Sequence, residues 1–133
     1  MGVTCNPQGL AVNPKTNQAL LGCGNRKKPQ AVFWDIKAGK VVSTFDRAGA
    51  GEMHLYEAKV DRFFYAASNF TSGGTAAPLM AVFSGSPPVQ FVGSIWTASG
   101  SHSVAFTRPT RSSTCRQDQK PFDGGLFAVP MPK

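Results

Sequence analysis

Residues 9–25 (GLAVNPKTNQALLGCGN) align without a gap to residues 53–69 (MHLYEAKVDRFFYAASN), an offset of 44 positions. Each copy reads as a short apolar strand, a polar turn centred on Asn17 or Asp61, a second apolar strand, then a small residue and Asn. A third copy opens at Ser103 (SVAFTRPT), a further 50 positions along, and its second strand near Ser113 to Cys115 is degraded. The downstream halves recur as well. Ala31–Asp35, Leu79–Phe83 and Leu126–Val129 read as third strands, and Val41–Phe45 and Gln90–Ile95 as fourth strands. Turn-rich segments, Ile36–Lys40 and Ser84–Val89, separate them. A period of this length, made of short strands, marks a repeat array and constrains the fold more than any composition does.

Four short antiparallel strands per repeat is the pattern of a propeller blade. One such sheet has two largely apolar faces and cannot bury both alone, whereas neighbouring sheets stacked around an axis cover each other. A sandwich or open barrel tolerates irregular strand spacing and does not predict gapless self-similarity. The expectation is therefore an all-β chain: a single partial β-propeller domain over residues 1–133, about two and three-quarter blades, at roughly 1–48, 49–98 and 99–133. Hydrophobic residues at 41% fit a folded chain, and Gly 14 with Pro 10 supply frequent turns. No apolar stretch approaches the roughly 18 residues of a membrane-spanning helix, and the start, MGVTCNPQGL, has neither the basic region nor the apolar core of a signal peptide.

The net charge of +7 raises nucleic acid or an anionic surface as a partner. The bases are scattered, however, with one small cluster at Arg26, Lys27 and Lys28, and no basic tract alternates with aromatics. A solvated basic surface is the better reading, and nucleic acid is not expected. The three cysteines, Cys5, Cys23 and Cys115, match no zinc spacing. Cys5 and Cys23 fall near the same end of the first blade. Two readings stay open: a disulfide between them, if the compartment is oxidising, or Cys23 as a small buried filler and Cys5 as a loop thiol.

The openings PQGLAVNP (residues 7–14) and SHSVAF (residues 101–106) resemble the P-x-G-[LIV]-A-[VF]-x-P openings of YVTN/NHL-like propeller repeats. The stretch AVFWDIKAGKVVSTF (residues 31–45) resembles their V-[IV]-D-x-x-T-G-K-V-V third and fourth strands. Nearly the whole chain looks like the C-terminal part of a YncE-like propeller, a group related more distantly to the gluconolactonase-like superfamily. Trp34-Asp35 is also similar to the pair that ends the third strand of WD-repeat propellers, but the second and third repeats have Phe83-Ser84 and Val129-Pro130 there, and no Gly-His pair opens a blade.

The resemblance implies that first strands line a central channel and that functional groups gather at its mouth. Gln8, Glu52 and His102 share one position, just before their first strands; Asn25 and Asn69 share another, at the ends of second strands. These five residues form the expected ligand-binding arc. Glu52, Asn69 and His102 are its candidate metal donors, for a divalent ion such as calcium. Gluconolactonase-like enzymes hold a divalent metal with Glu, Asn and Asp at such a mouth, and no matching mouth Asp is present here. The other reading of the same residues is structural: Asn at a strand end commonly closes a turn, and polar groups in a wet channel need no ligand. His54 aligns with Leu10 and Val104 and is expected to pack between blades. The Gly- and Ser-rich stretch Ser68–Pro78 is expected as a flexible loop.

No GxSxG elbow, HExxH helix motif, P-loop or paired-carboxylate set occurs. The expected function is a non-enzymatic binding or scaffold module, no catalytic residue being assigned. The alternative is a gluconolactonase-like, metal-dependent lactone hydrolase. Expected partners are the rest of a propeller or further copies of the chain, with a small polar ligand or a protein at the mouth. The family resemblance implies a periplasmic or secreted location. Fewer than three blades leave two outer faces uncovered, so Leu10, Val12, Leu20, Phe33, Val104, Phe106 and Phe127 are expected on exposed faces.

Overall fold

A computed structural model of the chain describes residues 5–24 and 28–105. Among them there are strands and turns and no helix. The strands are β1 (Pro7–Asn13), β2 (Gln18–Cys23), β3 (Gln30–Asp35), β4 (Lys40–Phe45), β5 (Met53–Glu57), β6 (Arg62–Ala67), β7 (Thr71–Ser72), β8 (Thr75–Ala76), β9 (Leu79–Ser84) and β10 (Phe91–Trp96). β1-β2-β3-β4 form one antiparallel sheet, β5-β6-β9-β10 a second in the same order, and β7-β8 a small hairpin between β6 and β9. The stretch expected as a flexible loop, Ser68–Pro78, connects β6 to β9 and carries this hairpin.

Local sequence dictates the turns. The tight connections β1-β2 and β5-β6 place Asn17 at φ 57° and Asp61 at φ 49°, the left-handed region that Asn and Asp tolerate better than most residues. Asn17 sits one residue before β2 and Asp61 one before β6, so each turn feeds straight into a second strand.

The two sheets stack face to face. From the first, Ala11, Leu20, Ala31 and Phe33 point into the shared core; from the second, Phe63, Tyr65, Ala81 and Phe83 do. Phe33 lies 5.3 Å, ring to ring, from both Phe63 and Phe83, and Phe45 lies 5.0 Å from Phe83. The stack is wedge-shaped. At one edge the backbones of β1 and β5 run side by side, and a Cβ on Gly9 would fall 2.0 Å from the Glu52 carbonyl oxygen. Toward the other edge phenyl rings fill a wider gap, with Arg47 set over the Phe91 ring at 5.3 Å. Small residues at the narrow edge and aromatics at the wide one account for this shape.

The connection between the sheets, Ala48-Gly49-Ala50-Gly51, is buried. A Cβ on Gly51 would sit 1.9 Å from the Ala66 carbonyl oxygen, and one on Gly49 2.2 Å from the Gln30 nitrogen. Only glycine lets the chain pass so close to the ends of both sheets. At the opposite end, buried Asn13 donates from Nδ2 to the Gly85 carbonyl at 2.8 Å, clamping one sheet to the other. Beside it Asp61 accepts from the Tyr56 hydroxyl at 2.9 Å and from Ser86 Oγ at 2.5 Å. The Ser86 bond is the chief reason its carboxyl is held below the usual range.

Among the described residues the two sheets do not close into a ring. Ser103–Ala105, expected to open a third first strand, carry no strand; Phe106, Cys115, Leu126–Val129 and Phe127 lie outside the described residues. Of the residues expected on uncovered faces, Leu10 is 56% and Val12 39% exposed. Leu20 and Phe33, by contrast, are fully buried: strand alternation turns them the other way, against the second sheet. Among the described residues Trp96 is the most exposed large apolar side chain, at 75%.

Candidate functional site

Beside the buried connection lies a cleft of about 110 Å³, lined by Gln8, Gly24, Ala50, Glu52 and Asn69. Gln8 comes from the start of β1, Gly24 from the residue after β2, Glu52 from the residue before β5, and Asn69 from the end of the turn after β6. The backbone between them is tightly tied. Gly24 N donates to the Asn6 carbonyl at 2.8 Å, Ala50 N to the Cys23 carbonyl at 2.9 Å, and Asn69 N to the Ala50 carbonyl at 3.1 Å. Ala50 holds φ 52°, a conformation costly for a residue with a Cβ, and these bonds on both sides fix it. A disulfide, Cys5–Cys23, with Cα atoms 4.9 Å apart, pins the chain entering β1 to the end of β2. Gly24 leaves space for Gln8: a Cβ there would meet the Gln8 amide oxygen at 2.7 Å.

Three of the five residues singled out in the sequence thus meet at one cleft. Asn25 lies outside the described residues, next to Gly24. His102 is exposed and does not line the cleft. Among the described residues, the Gln8 amide and the Glu52 carboxylate make no side-chain hydrogen bond, and Asn69 has only a long one, to Ser68 Oγ at 3.4 Å. Their donors and acceptors face solvent in the cleft, available to a ligand. As an ion site the set is poor. One carboxylate and two carboxamides face it, and no three His, Cys, Asp or Glu side chains stand together among the described residues. Calcium takes six to eight oxygens, several of them usually carboxylate.

Directly below the cleft is a group the sequence singled out only as packing. The His54 ring stacks on Tyr65, 4.1 Å between centroids and 19° apart, and fills the hollow left by Gly9 and Gly22. Its Nδ1 lies 3.2 Å from the Glu52 carbonyl oxygen. A carbonyl only accepts, so Nδ1 carries the proton, and Nε2 is left buried without a hydrogen-bond partner among the described residues. Tyr65 in turn accepts from Gly51 N at 2.9 Å, its hydroxyl pushed up to about 12 by burial. The Glu52–Gly51 backbone that shapes the cleft therefore rests on His54 and Tyr65. The signal in the sequence was the pair of glycines opposite a histidine, which is readable only once the strands are in register.

Burial lowers His54 to about 4, the bond to Glu52 opposing only in part. Below pH 6.5 the unfolded chain takes up a proton that the folded chain refuses until about pH 4. Stability is thus whole above 6.5 and is lost as pH falls toward 4. The full shift corresponds to about 3 kcal/mol, and partial exposure of the ring reduces this to about 2 kcal/mol. Urea midpoints at pH 7.5, 5.5 and 4.2 should fall in that order, and His54→Leu, the residue type at the aligned Leu10, should remove most of the decline. An unchanged decline in that variant would place the titrating group elsewhere.

No protein-family model matches the chain, no curated protein matches it, and no solved structure matches it.

Proposed function

We propose that the chain is a non-enzymatic binding module built of propeller-type repeat sheets, with its ligand site at the narrow edge where adjacent sheets meet. The observation that carries this reading is the convergence of the exposed Gln8, Glu52 and Asn69 side chains on one rigidly backed cleft. The propeller reading draws support from the shared strand order of the two sheets and from a wedge with its first strands at the narrow edge. The likeness to YncE-like repeats belongs to the same proposal. The disulfide favours a periplasmic or secreted setting, since such bridges persist in oxidising compartments.

A cleft of about 110 Å³ is well below the size of a drug-like pocket. It suits one polar group of a larger ligand: a protonated amine against Glu52, or a sugar hydroxyl between the carboxamides. The lactonase alternative needs an ion held by several anionic oxygens, and the single carboxylate gives it no support. Titration of the ¹⁵N-labelled chain with alkylamines and simple sugars should move the amides of Gly24, Ala50 and Asn69 first. Glu52→Gln should weaken amine binding by tenfold or more and leave sugar binding nearly intact. Shifts centred away from these amides, or none with either class, would end the proposal.

A further inference from the structure

Asn69-Phe70-Thr71 is an Asn-x-Thr tripeptide with a residue other than proline in the middle, the acceptor pattern for N-linked glycosylation. The other four asparagines of the chain do not fit it. Two positions after Asn6, Asn13, Asn17 and Asn25 stand Gln8, Lys15, Ala19 and Lys27, and the first two asparagines also precede proline. A pattern this short arises by chance, so its placement in the fold has to decide.

Asn69 lies in the turn after β6 and is exposed, while its neighbours Ser68 and Phe70 are only 2% and 5% exposed. The backbone is held on both sides. Asn69 N donates to the Ala50 carbonyl at 3.1 Å, and Phe70 N to the Ala67 carbonyl at 3.2 Å. Buried flanks and a fixed backbone leave the Asn69 carboxamide as the group that projects. An asparagine at a strand end commonly closes the turn with its own side chain. Here the Phe70–Ala67 backbone bond closes it, so the carboxamide is not needed for that. Among the described residues its Nδ2 donates only to Ser68 Oγ at 3.4 Å, beyond the usual range, so a sugar on Nδ2 displaces no firm hydrogen bond. Approach is open as well. Exposed Gln8 and Glu52 face the cleft on one side, and Thr71 leads into the β7-β8 hairpin, whose Ser72, Gly73 and Gly74 are exposed.

The disulfide is an independent observation that points the same way. N-linked acceptors are surface loops of secreted proteins, and disulfides persist in the same oxidising setting. Ala50 joins the two features directly, donating to the Cys23 carbonyl and accepting from Asn69 N.

We propose that Asn69 carries an N-linked glycan. In the transfer, Asn69 Nδ2 forms a bond to the anomeric carbon of a lipid-pyrophosphate-linked oligosaccharide. The bond from that carbon to the pyrophosphate breaks, the pyrophosphate leaves with the electron pair, and the amide nitrogen gives up one proton. The first sugar then stands at the mouth of the cleft, beside Gln8 and Glu52. The proposal rests on the oxidising setting that the disulfide favours and not on ligand binding at the cleft, which the amide titration tests on chain without a glycan.

The full chain, sent into the secretory pathway of cultured animal cells behind a supplied leader peptide, should run as a heavier species that peptide N-glycosidase returns to the bare mass. Release in ¹⁸O-labelled water should leave the heavy oxygen at position 69, where the enzyme converts the asparagine to aspartate. Asn69→Gln should abolish the heavier species. Thr71→Val, which removes only the hydroxyl and leaves Asn69 in place, should abolish it too, and Thr71→Ser should retain it. Secreted and retained chains are read together, so a variant that folds poorly still reports. Thiol alkylation of the same samples follows the Cys5–Cys23 bridge, which tells failure of the oxidising reading from a missing glycan. A parent chain of bare mass in both pools overturns the proposal, and so does a heavier species that persists in Thr71→Val.

Discussion

Replacing Phe33 with alanine is expected to remove about 3–5 kcal/mol of stability, the largest effect of any single side chain here. The ring is fully buried and touches both sheets at once, edge-on to Phe45 at 5.9 Å on its own sheet and to Phe63 and Phe83 at 5.3 Å on the other. Truncation loses the transfer energy of a phenyl group, three favourable ring contacts, and the packing of a gap that β3 and β9 cannot close. β1 and β5 already touch at the narrow edge, so the sheets cannot move together as a whole to fill it. A domain of this size holds only about 5–15 kcal/mol. Urea unfolding followed by the fluorescence of Trp34 and Trp96 should show a midpoint lowered in proportion to that loss, or no cooperative transition. Phe33→Leu, which keeps most of the volume, should cost about 1 kcal/mol. Equal losses for the two variants would mean that ring geometry, not filled volume, holds the sheets together.

The sequence exposed the strands and their order but not which face of each pointed where. Alternating and continuous apolar runs located β1–β6, β9 and β10 to within a residue or two, and Asn17 and Asp61 marked the turns correctly because few residue types accept their dihedrals. Facing was another matter. β2 and β3 are apolar on both faces, so nothing in Ala19–Leu21 or Val32–Phe33 tells inside from outside, and the burial of Leu20 and Phe33 against the second sheet is not legible in the sequence. The β7-β8 hairpin was hidden because Thr71–Ala76 carries no apolar pattern, only a Gly73-Gly74 turn. At the cleft, repeat alignment brought Gln8, Glu52 and Asn69 together without any motif. It could not reveal Ala50, whose role is a backbone conformation, nor Gly24, whose role is the absence of a side chain beside Gln8.

Reduction of the Cys5–Cys23 bridge is expected to cost about 3 kcal/mol, the loop-closure entropy of a segment whose ends are 18 residues apart. The effect should be uneven across the fold. The bridge ties the residues before β1 to the end of β2, next to the Gly24–Asn6 backbone bond and the Gln8 side of the cleft. The far end of β1 is held independently by the Asn13–Gly85 clamp. Reduction should therefore fray β1 from its start while leaving Asn13 in place. Buried Cys23 makes Cys23→Ala with Cys5→Ala the cleaner variant, since it avoids a thiol in the core. Hydrogen exchange should show faster exchange at Gly24 and the first residues of β1, and unchanged protection in β6 and β9. Binding at the cleft should weaken along with it, because Gln8 would lose its fixed position. If stability falls but cleft binding does not, Gln8 is not part of the recognition surface, and Glu52 with Asn69 on the second sheet would carry it alone.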